Sequence, residues 1–113
     1  MTEKNDLAFI GHILDSINAI EEFSKGMNRE ELTSNRLKQS ALVREIEIIG
    51  EAAKNISTDL KNSHPEVEWK DIVGTRDKII HHYFGVDLNI VWSIIKDNLP
   101  DLKKNIEKIK QNL

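Results

Sequence analysis

The sequence predicts an all-α fold, an up-and-down bundle of about five helices forming one domain over residues 1–113. Three observations carry this. Apolar residues recur at three- and four-residue spacing along most of the chain, the signature of helices with one buried face. Only two prolines and five glycines interrupt the 113 residues, so long helices are the default. No cysteine is present, so neither a disulfide framework nor a thiolate metal site can replace a packed core.

The first predicted helix covers about residues 6–24. Leu7, Ile10, Leu14, Ile17 and Ile20 mark its inner face, Asp6 is a plausible N-cap, and Lys25-Gly26 ends it. The second starts at about Arg29 or Ser34 and runs to Ile56. Leu42, Ile46, Ile49, Ala53 and Ile56 form one apolar stripe, and Leu37, Ala41, Ile48 and Ala52 form another. A helix apolar on two sides lies in the middle of something. It is either the central helix of a monomeric bundle or a helix shared between the core and a second subunit. The small size of the domain and the small-residue patch Gly50-Glu51-Ala52-Ala53 favour a homodimer. Residues 57–65 read as a loop, and residues 66–72 as a short helix. Gly74 weakens continuity, and Thr75 is placed to cap a fresh helix from Arg76 to about Tyr83, ended by Gly85. Asp87 is placed to cap the next helix, with Val91, Ile94 and Ile95 inward. Leu99-Pro100 should break the chain before a last helix carrying Leu102, Ile106, Ile109 and Leu113.

Composition removes several function classes. The formal net charge of −3 argues against a protein that coats nucleic acid non-specifically, since that needs many phosphate-neutralising cations. A nuclease with a local basic site stays open. The first residues show no signal-peptide pattern, and no apolar run approaches the length of a membrane span. A cytoplasmic location is expected.

The chemistry concentrates in Arg76-Asp77-Lys78-Ile79-Ile80-His81-His82-Tyr83. On a helix, Arg76, Ile79, Ile80 and Tyr83 would share one face. A cation on an apolar stripe must be paired or functional. The structural reading pairs Arg76 with Glu51 or Glu47. Asp77 lies four residues before His81, close enough on a helix to orient the imidazole and raise its basicity, or to form an ordinary exposed pair. Together these residues suit RNA cleavage. That reaction needs a base for the 2′-hydroxyl, an acid for the leaving oxygen and positive charge for the crowded phosphate. His81 fits the proton transfers, and the Arg76 fork fits the phosphate. One chain offers one such set, whereas a dimer brings two into one cleft.

The same segment, Arg76-x4-His81-x-Tyr83, resembles the RX4HXY signature of the HepT toxins, a branch of the HEPN superfamily. Further segments resemble that family in order: Asp15-x3-Ala19-Ile20, Ile48-Ile49-Gly50-Glu51-Ala52-Ala53-Lys54, Pro65-x3-Trp69, Gly74-x-Arg76, His82-Tyr83-Phe84-Gly85-Val86-Asp87 and Val91-Trp92. The resemblance implies a helical homodimer whose paired motifs form a metal-independent ribonuclease site at the interface, without a cofactor. It implies the toxin of a two-gene, type VII toxin–antitoxin system. The partner would be an MntA-like nucleotidyltransferase antitoxin that transfers AMP to the motif tyrosine. Arg76 and His81 would be catalytic, Tyr83 the modified residue, and Asp77 and Glu51 supporting or orienting residues. RNA would be the substrate.

Three other readings stand beside this one. A HEPN module without catalysis could serve as the binding partner of a nucleotidyltransferase. His81, His82 and Asp87 could hold a metal, although adjacent helical histidines point about 100° apart and rarely share an ion. A purely structural helical dimer is what composition alone suggests. His12 and His64 read as surface residues.

Overall fold

The computed structural model describes residues 2–81 and 85–113, with side chains described over 5–80 and 85–113. Helices dominate: α1 (Thr2–Phe23), α2 (Arg29–Ser34), α3 (Arg36–Lys54), α4 (Thr58–Ser63), α5 (Trp69–Ile79), α6 (Leu88–Ser93) and α7 (Leu99–Asn112). A π-helical turn (Ile94–Asn98) joins α6 to α7. Two-residue strands β1 (Ile80–His81) and β2 (Gly85–Val86) lie between α5 and α6.

The long helices form where the apolar periodicity is strongest. In α1, Ile10, Ile13, Leu14, Ile17 and Ile20 are buried, while Leu7, assigned to that stripe from sequence, is exposed. Gly26 takes a positive φ of 70° just past the helix, and the Met27 N–H donates to the Ser24 carbonyl at 2.9 Å. The helix therefore stops at the expected Lys25-Gly26. In α3, Leu42, Ile46, Ile49 and Ala53 are buried, as is Ile56 just beyond it. The second stripe is only partly covered: Ala52 is buried, Ala41 and Ile48 are half-buried, and Leu37 is 80% exposed.

The helices run up and down. The start of α1 meets the end of α3 through Asp6 and Ser57. The start of α7 meets the end of α1 through Lys103 and Glu21, 2.8 Å apart. The α3–α5 contact is also antiparallel, since Gly50 lies against Ile72 while Glu47 meets Arg76. Helix α3 thus lies between α1 and α5, and α7 covers α1.

Several local expectations give way to longer-range contacts. Asp6 does not cap α1, which begins at Thr2. It is 3% exposed, and its carboxylate accepts from the Ser57 N–H at 2.8 Å and the Ser57 Oγ at 2.6 Å. Ser57 Oγ in turn accepts from the Leu60 N–H at 3.2 Å, capping α4 inside the predicted 57–65 loop. The predicted second helix is divided at Asn35, whose side chain accepts from the Lys38 N–H at 3.0 Å. The Gln39 amide closes the corner by donating to the Leu32 and Thr33 carbonyls at 2.9 Å each. These bonds satisfy groups that a helix end would otherwise leave unpaired.

Gly74 and Thr75 do not start a new helix, because α5 passes through both. Thr75 Oγ1 donates back to the Asp71 carbonyl at 2.7 Å, the behaviour of a helix-interior threonine. Nor does Leu99-Pro100 break the chain. The Leu99 N–H reaches the Ile94 carbonyl five residues back, forming the π turn, and the helix continues. Pro100 lacks an N–H, and its ring needs room against the preceding turn, so the wider turn lets the helix carry it. Ile106 and Ile109 are fully buried, Leu102 is half-buried and Leu113 is exposed.

Replacing Asp6 with Ala leaves two donors at Ser57 without their buried acceptor. The Asp6→Ala variant is expected to lose about 2 kcal/mol or more of stability. A chemical-denaturation midpoint measured beside wild type checks it.

Candidate active site

The site begins with a close approach of backbones. A Cβ on Gly50 would lie 3.2 Å from the Ile72 carbonyl oxygen and 3.7 Å from that of Val73. Only a residue without a side chain lets α5 lie this close on α3. One turn toward the start of α3, Glu47 faces Arg76, and the Arg76 Nε donates to Glu47 Oε2 at 2.8 Å. Glu51, the orienting residue expected from sequence, does not hold Arg76. It is exposed, and its backbone carbonyl accepts from the Asn55 amide at 2.8 Å. The crossing point on α3 decides between the two glutamates.

The Arg76 side chain is 64% exposed and that of Glu47 26%. Such a pair adds little to stability, because solvent screens it. Its effect is geometric. Among the described residues only Nε of the guanidinium is engaged, so the two terminal nitrogens stay open to a phosphate or carboxylate.

Arg76 opens on a groove of about 410 Å³, walled by Phe9 and His12 of α1, Arg44, Glu47 and Glu51 of α3, and Arg76 of α5. Its floor includes Ile48 and Ala52, which belong to the partly covered stripe of α3. His12 is exposed, as expected, and packs edge-on to Phe9 at a centroid distance of 5.9 Å. Arg44 has no ion pair among the described residues. Neither His12 nor Arg44 was singled out from sequence. The signal was the polar stripe Arg44, Glu47, Glu51 and Asn55, which has the same helical spacing as the apolar stripes beside it.

The motif does not continue as one helix. Helix α5 ends at Ile79, and Ile80 and His81 are extended, paired with Val86 and Gly85. The expected common face of Arg76, Ile79 and Ile80 is therefore not formed: Ile79 is fully buried, whereas Arg76 borders solvent. The helical relation of Asp77 to His81 is also lost, and Asp77 is exposed without a hydrogen bond among the described residues. Two causes act together. Ile79 and Ile80 are β-branched and indifferent helix formers. The Ile79 carbonyl, which a continuing helix would bond to residue 83, accepts instead from the Asp87 N–H at 2.7 Å. Gly85 permits the return with φ of 151°. The His81 side chain, His82 and Tyr83 lie outside the described residues, so the base and modification assignments fall there too.

Elsewhere, His64 Nδ1 lies 3.2 Å from Glu66 Oε2. The carboxyl of Glu66 is held below its ordinary range, chiefly by a backbone hydrogen bond and then by His64, against a smaller opposing effect of desolvation. Among the described residues no three histidine, aspartate or glutamate side chains converge as a metal site.

Residues 13–109 match the family model described as HepT-like, ribonuclease HepT-like. The chain belongs to the HepT-like family. It is 41% identical to the probable ribonuclease HepT of Thermococcus cleftensis over 91% of this chain and 94% of that protein. It is 39% identical to the candidate RNase MJ1380 of Methanocaldococcus jannaschii, covering 95% and 98%. A similar match, 39% with 96% of each chain covered, is to the candidate RNase TTE0752 of Caldanaerobacter subterraneus subsp. tengcongensis. No solved structure matches.

The segments that resemble HepT proteins now have physical roles. Within residues 48–54, Gly50 admits α5 and Ala53 is fully buried. In Pro65-x3-Trp69, the indole Nε1 donates to the His64 carbonyl at 3.0 Å and fixes the start of α5. Asp87 caps α6, as expected, by accepting from the Asn89 and Ile90 N–H groups at 3.1 and 3.2 Å.

A Gly50→Val substitution should push α5 off α3. The expected cost is about 1–3 kcal/mol of stability, with loss of the Arg76–Glu47 contact. Denaturation together with a crystal structure or NMR of the variant checks both.

Proposed function

We propose that this HepT-like chain is a metal-independent endoribonuclease, active as a homodimer, and the toxin of a toxin–antitoxin pair. One observation carries the catalytic part. The Arg76 guanidinium is aimed by Glu47 through Nε, with its two terminal nitrogens open beside a groove. A scaffold arginine would spend its fork on the protein. Here the fork is available for the non-bridging oxygens of a phosphodiester, where charge grows in the transition state.

His81 begins the reaction by taking the proton of the 2′-hydroxyl. The 2′-oxygen then forms a bond to phosphorus as the bond to the 5′-oxygen breaks. The second copy's histidine supplies the leaving oxygen with its proton. The products are a 2′,3′-cyclic phosphate and a 5′-hydroxyl, so no external co-reactant is consumed. The dimer is supported by the apolar strip of Leu37, Ala41 and Ile48, only partly covered within one chain. Part of that strip also floors the Arg76 groove, so a second copy seated there would bring its own motif to the same cleft. The names of the relatives, ribonuclease HepT and candidate RNases, support the substrate class.

The family resemblance assigns control to an MntA-like nucleotidyltransferase that adenylylates Tyr83. An AMP group beside the cleft adds negative charge and bulk, which oppose an RNA phosphate.

In excess chelator, purified wild type is expected to cut RNA and leave 2′,3′-cyclic phosphate ends. Arg76→Ala and His81→Ala should each lose about 100-fold or more in rate with unchanged melting. A silent wild type over a broad RNA panel refutes the ribonuclease reading.

Incubation with ATP, magnesium and the cognate nucleotidyltransferase should add one AMP mass to wild type. The same treatment should leave Tyr83→Phe unmodified and still toxic. Modification of Tyr83→Phe at an equal rate removes Tyr83 from the scheme.

A further inference from the structure

Helix α5 separates two grooves of opposite character. Arg76 opens on one of them. Across α5, the Asp71, Thr75 and Lys78 side faces the π turn and the start of α7 over a larger groove of about 680 Å³. Its lining includes buried Ile49 and half-buried Ile72, Ile90, Ile94 and Leu102, drawn from four separate elements. A cleft of this volume accommodates a drug-sized molecule or several side chains.

The rim is acidic. It carries Glu66, Glu68, Asp71, Asp87, Asp97 and Asp101 against Lys78 and Lys104 alone. Three of these carboxylates have local partners: Asp71 lies 3.4 Å from Lys78, Asp87 caps α6, and Glu66 meets His64. Glu68, Asp97 and Asp101 are exposed and have no hydrogen bond or ion pair among the described residues. Asp97 and Asp101 stand four residues apart on one continuous helix, a spacing at which like charges repel. An apolar floor under uncompensated negative charge is complementary to apolar side chains flanked by cations.

We propose that this groove docks a basic amphipathic helix of a second, different protein. Its leucine-like side chains would fill the floor at i, i+3 or i+4 and i+7, and its lysines or arginines would meet Glu68, Asp97 and Asp101. RNA is disfavoured, because its phosphates would face those carboxylates. A symmetric contact with a second copy is disfavoured too, because it would set Asp97 and Asp101 against their own equivalents. The site needs neither Arg76 nor His81, so it stands independently of the ribonuclease reading.

The test is calorimetric titration of the full chain with a synthetic leucine–lysine helix of about four turns. Two control peptides keep its length: one replaces every lysine with glutamate, and one shuffles the leucines out of helical register. The lysine peptide is expected to bind once per chain at micromolar concentration, with both controls at least about tenfold weaker. The Asp97→Asn/Asp101→Asn double variant should weaken binding about tenfold. Asn105→Trp, which fills the groove without changing charge, should do the same. Asp15→Asn/Glu22→Asn, removing two exposed carboxylates of α1, should leave binding intact. Circular dichroism confirms the fold of each variant. Equal weakening by the α1 control means attraction to net charge alone and overturns the proposal. So does equal binding of the glutamate peptide, or displacement of the lysine peptide by an RNA oligonucleotide. A change in self-association of Asp97→Asn/Asp101→Asn by sedimentation assigns the groove to copies of this chain, and equally overturns it.

Discussion

The missing side chain at Gly50 is the constraint on which the site depends. Because no Cβ stands there, the backbone of α5 comes to rest on α3, with the Ile72 carbonyl occupying the space a larger residue would need. Antiparallel helices in such contact advance together along opposite directions. The residue four beyond Ile72 therefore meets the residue three before Gly50, and those residues are Arg76 and Glu47. Neither the ion pair nor the groove needs a separate explanation once the crossing is fixed. The start of α5 is pinned by the Trp69 indole on the His64 carbonyl. Its end is pinned by the Asp87 N–H on the Ile79 carbonyl. Between those anchors the helix has little freedom to slide, which is what a preorganised cation requires.

A chain with net negative charge can still present a phosphate site if its charges are sorted in space. Helix α5 does the sorting here. Arg76 leaves it on the side of Arg44 and His12, while Asp71 leaves it on the side of Asp97 and Asp101. Within about a Debye length, ~10 Å at ordinary ionic strength, such a division sets which ligands approach which face. Net charge alone averages this difference away.

Much of the scaffold was legible because it rests on periodicity. The inner faces of α1 and α3 and the Asp87 cap follow from spacing and from short-range hydrogen bonding. The misreadings share another origin, since each was decided by a partner distant in sequence. Asp6 looks like an N-cap until Ser57, fifty-one residues away, takes its carboxylate. Ile79 and Ile80 can continue a helix or extend, and the choice rests with the Asp87 amide. Glu47 and Glu51 lie one turn apart on α3, and only the crossing geometry selects between them. The acidic groove left no sequence pattern, because its apolar lining is gathered from several elements.

The π turn ahead of Pro100 bears on how this chain can change in length. A π turn holds one residue more than the α-helical turn it replaces, so residues 94–98 behave as an insertion absorbed without leaving the helix. Removing that one residue would restore α geometry and rotate everything downstream by about 100° relative to α6. Ile106 and Ile109, now fully buried, would turn away from α1, and Lys103 would swing off Glu21. The phase between the two halves of this rod is thus stored in a single surplus residue. Length variation should be tolerated in the connections before α6 and selected against between Leu88 and Leu102.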